Sequence, residues 1–164
     1  MKVEDKGKKR INNKGFTLVE LLATISILAI IMLMAIPNVV GIVQKGRNKT
    51  YIEDAKKMVV LAKYKVKTDV ATKNDLKIKG NITISLKVLD QGNEIKDAPN
   101  GGEYDRDNSY VKIEKSNDKY EYYVTLFEDY KGIKQGLQDL PYTELLKDNA
   151  YKNVKTFTND SNVY

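Results

Sequence analysis

The sequence predicts an α+β protein in which a long N-terminal helix packs on a small antiparallel sheet. Three observations carry this prediction. Residues 21–43 form an uncharged apolar run, long enough for a membrane-spanning first half of the helix. Apolar residues then recur every three or four positions over residues 45–79, as in an amphipathic helix. After Gly80 the pattern changes to the alternation that is typical of strands.

The N-terminal segment divides into a basic leader, residues 1–15, and an apolar helix, residues 16–44. The leader holds six basic and two acidic side chains. Because lysine and arginine are retained on the cytoplasmic side of a first membrane helix, we expect the rest of the chain to lie outside the cytoplasm. The uncharged run of about 23 residues measures about 35 Å as a helix, which crosses a bilayer.

A single carboxylate, Glu20, stands at the leading edge of this apolar helix. A charged side chain within a membrane helix costs about 2.5–3.5 kcal/mol on insertion scales. The charge therefore needs a partner, which we expect outside this chain.

The residues around Glu20 form a recognisable motif, Lys14-Gly15-Phe16-Thr17-Leu18-Val19-Glu20-Leu21-Leu22. It resembles the prepilin signature of type IV pilins and type II secretion pseudopilins. The resemblance implies cleavage after Gly15 by a prepilin peptidase, N-methylation of the new N-terminal Phe16, and a role in assembly for Glu20 at the fifth mature position. It also implies a pilin-like fold and a helix kink at Pro37, where the missing N–H weakens the helix.

An ordinary secretory signal peptide and a plain membrane anchor are the alternatives. A signal peptide has an apolar region of about 7–15 residues followed by a small-x-small cleavage site. The run here is longer and contains Glu20. A plain anchor explains the length but not Gly15, Phe16 and Glu20 together, so the prepilin interpretation is favoured.

The second half of the helix, residues 45–79, is predicted to face the sheet through one apolar stripe. The stripe consists of Tyr51, Ala55, Met58, Ala62 and Val66, with Val59 and Val70 nearby. Asn74 and Asp75 are plausible terminators, and Gly80 is a clear break.

Residues 80–164 are predicted to form a β-rich head with a polar tail. Ile82, Ile84, Leu86 and Val88 alternate as the buried face of one strand. Residues 110–115 and 120–127 form a hairpin around a turn at 116–119. Gly132 and Gly136 interrupt the chain, and residues 141–147 form a short helix with Tyr142, Leu145 and Leu146 inward. The tail from residue 149 is predicted to be irregular.

The composition excludes several kinds of site. The chain has no cysteine, histidine or tryptophan, so it has no disulfide, no His/Cys metal site and no histidine-based catalysis. No enzyme activity and no cofactor are expected of a structural subunit. Asp105 and Asp107 alternate as calcium ligands do, but the glycine and distal glutamate of an EF-hand loop are missing, which favours a solvated loop.

Charge and tyrosine content leave two further alternatives. Residues 45–79 carry eleven basic and four acidic side chains, whereas residues 80–164 carry eleven and fifteen. The basic stem and acidic head either attract each other between subunits or are two solvated faces. Tyr120, Tyr122 and Tyr123 suggest sheet packing rather than a nucleic-acid surface, so nucleic acid is not expected as a direct ligand.

The predicted function is a structural subunit of a type IV pilus-like filament. The alternatives are a pseudopilin of a secretion or competence (DNA-uptake) apparatus and a membrane-anchored surface binding protein. The resemblance implies as partners other pilins in a homo- or hetero-polymer, a prepilin peptidase and methyltransferase, an assembly ATPase and a platform protein. Before assembly the chain is expected in the membrane, and afterwards in a cell-surface filament.

Overall fold

The structure, a computed structural model, describes residues 15–116 and 119–157, with the backbone alone at residues 37 and 38. The chain divides into two compact units, Met1–Gly41 and Ile42–Tyr164. Helix α1, Leu18–Thr68, contributes residues to both. The predicted α+β class, with a long N-terminal apolar helix and a small antiparallel sheet, is confirmed.

The predicted stripe of α1 forms one side of the core of the second unit. Tyr51, Ala55, Met58, Val59, Ala62 and Val66 are all buried. Val70 is 70% exposed, so its assignment to the stripe is wrong. The reason is a break at Asp69, whose side chain accepts a hydrogen bond from Ala71 N and caps a second helix, α2, Val70–Lys79.

Asn74 and Asp75 lie inside α2, so neither is the predicted terminator. The helix instead ends at Gly80, as its position in the sequence also suggested. Gly80 adopts the left-handed conformation with φ of 75°, and its N–H bonds to the carbonyl of Leu76. Glycine adopts this conformation without the steric cost that a side chain imposes.

In the described part of the chain, six antiparallel strands form one sheet. They are β1 (Asn81–Ser85), β2 (Glu103–Tyr104), β3 (Tyr110–Ser116), β4 (Lys119–Tyr130), β5 (Ile133–Pro141) and β6 (Lys155–Phe157). The order across the sheet is β1-β3-β4-β5-β6, and β2 pairs with β4. The predicted hairpin is confirmed by the pairing of β3 with β4, in which Ser116 lies opposite Lys119. Turn residues 117 and 118 lie outside the described residues.

The first strand is shorter than the alternation predicted. It ends at Ser85, and the chain continues as a short helix, α3, Leu86–Leu89. Leu86 and Leu89 are buried one helical turn apart, whereas Val88 is 42% exposed. A helical turn places residues three positions apart on one face, so Leu86 and Leu89 are both buried. The alternation in the sequence did not reveal this turn.

Strand β5 was not predicted because Gly132 and Gly136 resembled interruptions. Gly132 has a φ of 77° and lies in the turn between β4 and β5. Gly136 lies within β5, where a Cβ atom would stand 1.9 Å from the carbonyl oxygen of Leu126. The glycine therefore permits close approach of the two strands rather than a break between them.

The C-terminal part of the head is more regular than predicted. The expected helix is a single turn, α4, Tyr142–Leu145, in which Leu145 is buried while Leu146 is exposed. A 3₁₀ turn follows at Ala150–Asn153, and β6 then pairs with β5. The Phe157 ring stacks edge-on against Phe127 with centroids 5.2 Å apart, a long-range contact that holds this strand in place.

Candidate functional site

The start of α1 is organised by two side chains of the predicted motif. The Thr17 N–H and hydroxyl donate to the Glu20 carboxylate at 2.8 and 2.9 Å, and the Glu20 N–H donates to the Thr17 hydroxyl at 3.2 Å. This reciprocal arrangement is a capping box, which satisfies backbone donors at a helix N-terminus. The spacing Thr17-x-x-Glu20 before an apolar run is the sequence signal of this capping box.

The capping box adds a local hydrogen-bond partner for Glu20. Thr17 donates to its carboxylate from within the chain, and the expected charged partner outside the chain stays a prediction. These bonds survive cleavage after Gly15, because Thr17 N remains an amide. Both bonds go to the same carboxylate oxygen, Oε2, and Thr17 is neutral, so the negative charge stays uncompensated.

The described side chains in the apolar half of α1 are exposed. An 18-residue window of α1 with mean hydropathy 2.6 has none of its side chains buried, and α1 is long and apolar enough to cross a membrane. Phe16, just before the helix, is 84% exposed. The backbone remains helical through Pro37, and the kink there stays a prediction.

The two calcium candidates are each engaged within the head. Asp105 accepts hydrogen bonds from the backbone and side-chain amides of Asn108 at 3.0 and 2.8 Å. Asp107 forms an exposed ion pair with Lys87 at 3.1 Å. Among the described residues, no group of three or more acidic side chains is arranged to hold a metal.

A buried polar network that the sequence did not reveal joins α1 to the head. The Tyr51 hydroxyl on α1 donates to the fully buried carboxylate of Glu128 on β4. The same carboxylate accepts from the Asn100 side chain at 3.0 Å and from Gly102 N at 2.9 Å. These contacts join residues that are far apart in sequence, so no local pattern signals them.

A second pair repeats this arrangement with the partners exchanged. Tyr104 on β2 donates to Asp54 on α1 at 2.8 Å, and the two tyrosine rings meet edge-on with centroids 5.9 Å apart. Burial raises the pKa of both tyrosine hydroxyls above the usual value of 10, and the carboxylate next to each one raises it further. The network therefore ties the helix to the sheet with protonated tyrosines.

The tyrosines of β4 are largely involved in packing. Tyr122 is half-buried and packs against the core. The Lys63 ammonium lies 5.1 Å from the centroid of its ring and 4.1 Å from that of Tyr142, at cation–π distance. The Tyr123 hydroxyl donates to Glu121 at 2.9 Å. Tyr122 therefore has the expected packing role, whereas Tyr120 is 38% exposed.

Residues 10–36 match a family model described as the prokaryotic N-terminal methylation motif. This range includes the capping box and most of the apolar run. The motif is the type IV prepilin-like signature. It indicates a pilin-like or pseudopilin-like prepilin that a prepilin peptidase processes. No curated protein and no solved structure gives a significant match to the chain.

Proposed function

We propose that this chain is a non-enzymatic structural subunit of a type IV pilus-like filament. The observation that carries the proposal is the exposed apolar half of α1 with one carboxylate at its leading edge, within the matched motif. An apolar helix of this kind is stable in lipid or among like helices, because either environment removes it from water. The subunit is held first in a membrane, where lipid surrounds the helix, and then in a filament, where like helices surround it.

Processing prepares the helix for assembly. Hydrolysis of the bond between Gly15 and Phe16 removes the basic leader and creates an α-amine on Phe16, which is then methylated. An assembly ATPase and a platform protein move the subunit from the membrane into the growing filament. Each copy uses one surface to contact a different surface of the next, which generates an open helix rather than a closed ring.

Glu20 has a specific part in this proposal. Thr17 donates hydrogen bonds to the Glu20 carboxylate but carries no positive charge to balance it. In a bundle of like helices, the Phe16 amine of a neighbouring copy supplies the missing positive charge. In such a poorly solvated environment the pairing offsets the cost of desolvating the two charges, and the loss of either partner leaves a buried charge unpaired.

Two other functions share the same first residues. A pseudopilin of a secretion or competence apparatus is processed in the same way and forms a shorter filament. A membrane-anchored surface binding protein uses the helix for anchoring alone and remains monomeric. The presence of Glu20 favours a role in the shaft of a filament, because a capping box accepts glutamine as well as glutamate and so does not by itself require a negative charge in an anchor.

The deciding experiment is electron microscopy of the sheared surface fraction of cells, combined with peptide identification. We expect filaments that contain this chain, with a mature N-terminus at N-methylated Phe16 by mass spectrometry. A chain that stays monomeric in the membrane would identify the anchored binding protein. A mature N-terminus beyond residue 30 would identify an ordinary signal peptide.

A further inference from the structure

A set of positively charged side chains directly follows the apolar run of α1. Ile42 and Val43, the last apolar residues of this run, are exposed, and Lys45, Arg47 and Lys49 come next in the same helix. These three residues lie about 3–9 Å beyond Val43 along the helix axis. The headgroup layer on each side of a bilayer is about 5–8 Å thick. When the apolar run crosses a bilayer, the three cations are therefore at the level of the headgroups.

The fold brings a distant segment of the head to the same level. The Asn48 side-chain amide donates to the carbonyl of Tyr151 at 3.2 Å, and the Lys45 ammonium lies 5.1 Å from the centroid of the Tyr151 ring. Lys152, the next residue, is exposed. Tyrosine is enriched at the membrane–water interface, where its ring contacts lipid and its hydroxyl contacts water. We call the group formed by Lys45, Arg47, Lys49, Tyr151 and Lys152 the collar.

The cations of the collar are not compensated by ion pairs. In the described part of the chain, none of its four basic side chains lies within ion-pair distance of a carboxylate. Lys45 contacts the Tyr151 ring, and Arg47 donates to the Asn100 side-chain oxygen at 3.3 Å. Both partners are neutral. Behind Asn100, the buried Glu128 carboxylate already accepts hydrogen bonds from within the head. The positive charge of the collar is therefore available to an outside partner.

The acidic side chains near the collar do not neutralise it. A cavity of about 260 Å³ adjoins the collar, and its charged lining outside the collar consists of Glu53, Lys56, Lys147 and Asp148. Glu53 is paired with Lys56 at 2.8 Å, and Lys147 is paired with Glu144 at 2.6 Å. These pairs cancel locally. Asp148, which is exposed, then stands against the four cations of the collar.

We propose that the collar binds a surface of anionic phospholipid headgroups while the subunit is held in the membrane. The inference rests on the membrane stage of the proposed function. Basic residues beside a membrane helix are attracted to anionic lipids, and each lysine or arginine raises the equilibrium constant about fivefold. Because the collar combines cations of α1 with Lys152, binding holds the head at the bilayer surface until the helix leaves the lipid.

The position of the collar favours lipid over a neighbouring head as its partner. A bilayer that takes up residues 21–43 brings its headgroups to residues 45–49 without any further requirement. A neighbouring head at the same level presents its own collar, and two collars of like charge repel each other. Of the carboxylates beside that collar, Glu53 and Glu144 are already paired. Anionic headgroups supply the missing negative charge directly.

Fluorescence quenching of the full chain in vesicles tests this contact. The protein has no cysteine, so Asn149→Cys places a single fluorophore two residues before Tyr151. Thr83→Cys is the reference position, because Thr83 lines a cavity with Lys65, about 24 Å beyond Lys49 along α1. Lipids that carry a nitroxide on the headgroup quench a fluorophore that lies close to them.

Quenching at residue 149 should exceed that at residue 83, increase when phosphatidylglycerol is added to phosphatidylcholine vesicles, and decrease in high salt. Lys49→Gln combined with Lys152→Gln should lower the ratio of bound to unbound heads about fivefold for each charge removed. Neither side chain forms a hydrogen bond or ion pair with a described residue, so the variant should fold normally. The matched control, Lys67→Gln with Lys73→Gln, removes two exposed charges elsewhere and should leave the ratio unchanged.

The outcomes separate this inference from the proposed function. Equal quenching with and without phosphatidylglycerol, or equal losses in the collar variant and its control, overturn the lipid contact and leave the filament in place. Equal quenching together with a lower filament yield in the collar variant assigns the collar to a neighbouring subunit and also overturns it. Failure of the parental chain to float with vesicles overturns the membrane stage of the proposed function itself.

Discussion

The two regions of α1 differ in the exposure of their apolar side chains: those of the apolar half are exposed, whereas those of the stripe in the head are buried. In the unit Met1–Gly41, the described apolar side chains of α1 are exposed, and Thr17 and Glu20 complete each other at its start. In the unit Ile42–Tyr164, the stripe of α1 is buried against a sheet. No buried side-chain nitrogen or oxygen of the described residues lacks a hydrogen-bond partner.

The difference shows where the stability of each region originates. The head is stabilised by contacts within one chain, because burial of Met58, Ala62 and their neighbours removes apolar surface from water. The apolar half of α1 obtains its stability from lipid or from other copies. Changes in the head should therefore affect folding, whereas changes near Glu20 should affect assembly.

The largest expected effect comes from removal of the helix from the head. A fragment that begins at Lys45 should fold as a monomer and be indifferent to reductant, because the chain has no cysteine. A fragment that begins at residue 76 should be unfolded, because a small sheet cannot bury its apolar face alone. Circular dichroism during denaturation compares the two, and cooperative unfolding of the shorter fragment would show that the helix is dispensable.

The second prediction concerns assembly. Glu20→Gln retains the capping box, since glutamine also serves at this position, but removes the charge. An unpaired buried amine then costs about 3–5 kcal/mol, so filament assembly should fall sharply. Membrane insertion and cleavage after Gly15 should remain normal.

Immunoblots of the sheared and membrane fractions measure this effect. Glu53→Gln is the matched control, because Glu53 is an exposed carboxylate on the part of α1 that belongs to the unit Ile42–Tyr164. Assembly of Glu20→Gln at the parental level would mean that the charge is not the assembly contact.

The third prediction compares two faces of α1 within the head. Met58 is fully buried and Val60 is 58% exposed. Met58→Ala should lower the free energy of unfolding by about 2–5 kcal/mol through lost burial and a cavity. Val60→Ala should change it by less than about 0.5 kcal/mol. Urea denaturation of the Lys45 fragment measures both, and equal effects would place the stripe on the wrong face.

The effect that is smallest at neutral pH is a pH dependence of the head, which develops only in alkaline solution. Burial raises the pKa of Tyr51 and Tyr104 in the folded state, whereas both ionise near pH 10 when unfolded. Their contribution to stability is therefore complete below pH 10 and decreases as the pH rises above it, by about 1.4 kcal/mol per pH unit for each tyrosine.

Denaturation of the Lys45 fragment between pH 9 and 12 measures this slope. Tyr104→Phe should make the slope shallower, since one of the raised tyrosine pKa values is removed. Tyr122 and Tyr123, whose pKa values are also raised, remain in the variant. A free energy of unfolding that stays constant up to pH 12 would contradict a buried tyrosine network.

Local patterns predicted the elements whose partners lie within a few residues. The apolar run and the stripe from Tyr51 to Val66 follow from helical spacing, and the β3–β4 hairpin follows from alternation around a short turn. The errors arose where one pattern fits two structures. The alternation of Leu86 and Val88 is typical of a strand, whereas the spacing of Leu86 and Leu89 fits a helical turn. Because Leu89 is buried in the core, the chain adopts the helical turn.

The sequence by itself determined the prepilin-like motif and the long helix with its apolar half and buried stripe, because each depends on neighbours in the chain. Only the tertiary structure decided the rest. The pairing of β6 with β5, the close approach at Gly136 and the two tyrosine–carboxylate pairs join residues far apart in sequence. Such contacts depend on which surfaces meet when the chain folds, and that depends on the packing of the whole core rather than on any local spacing.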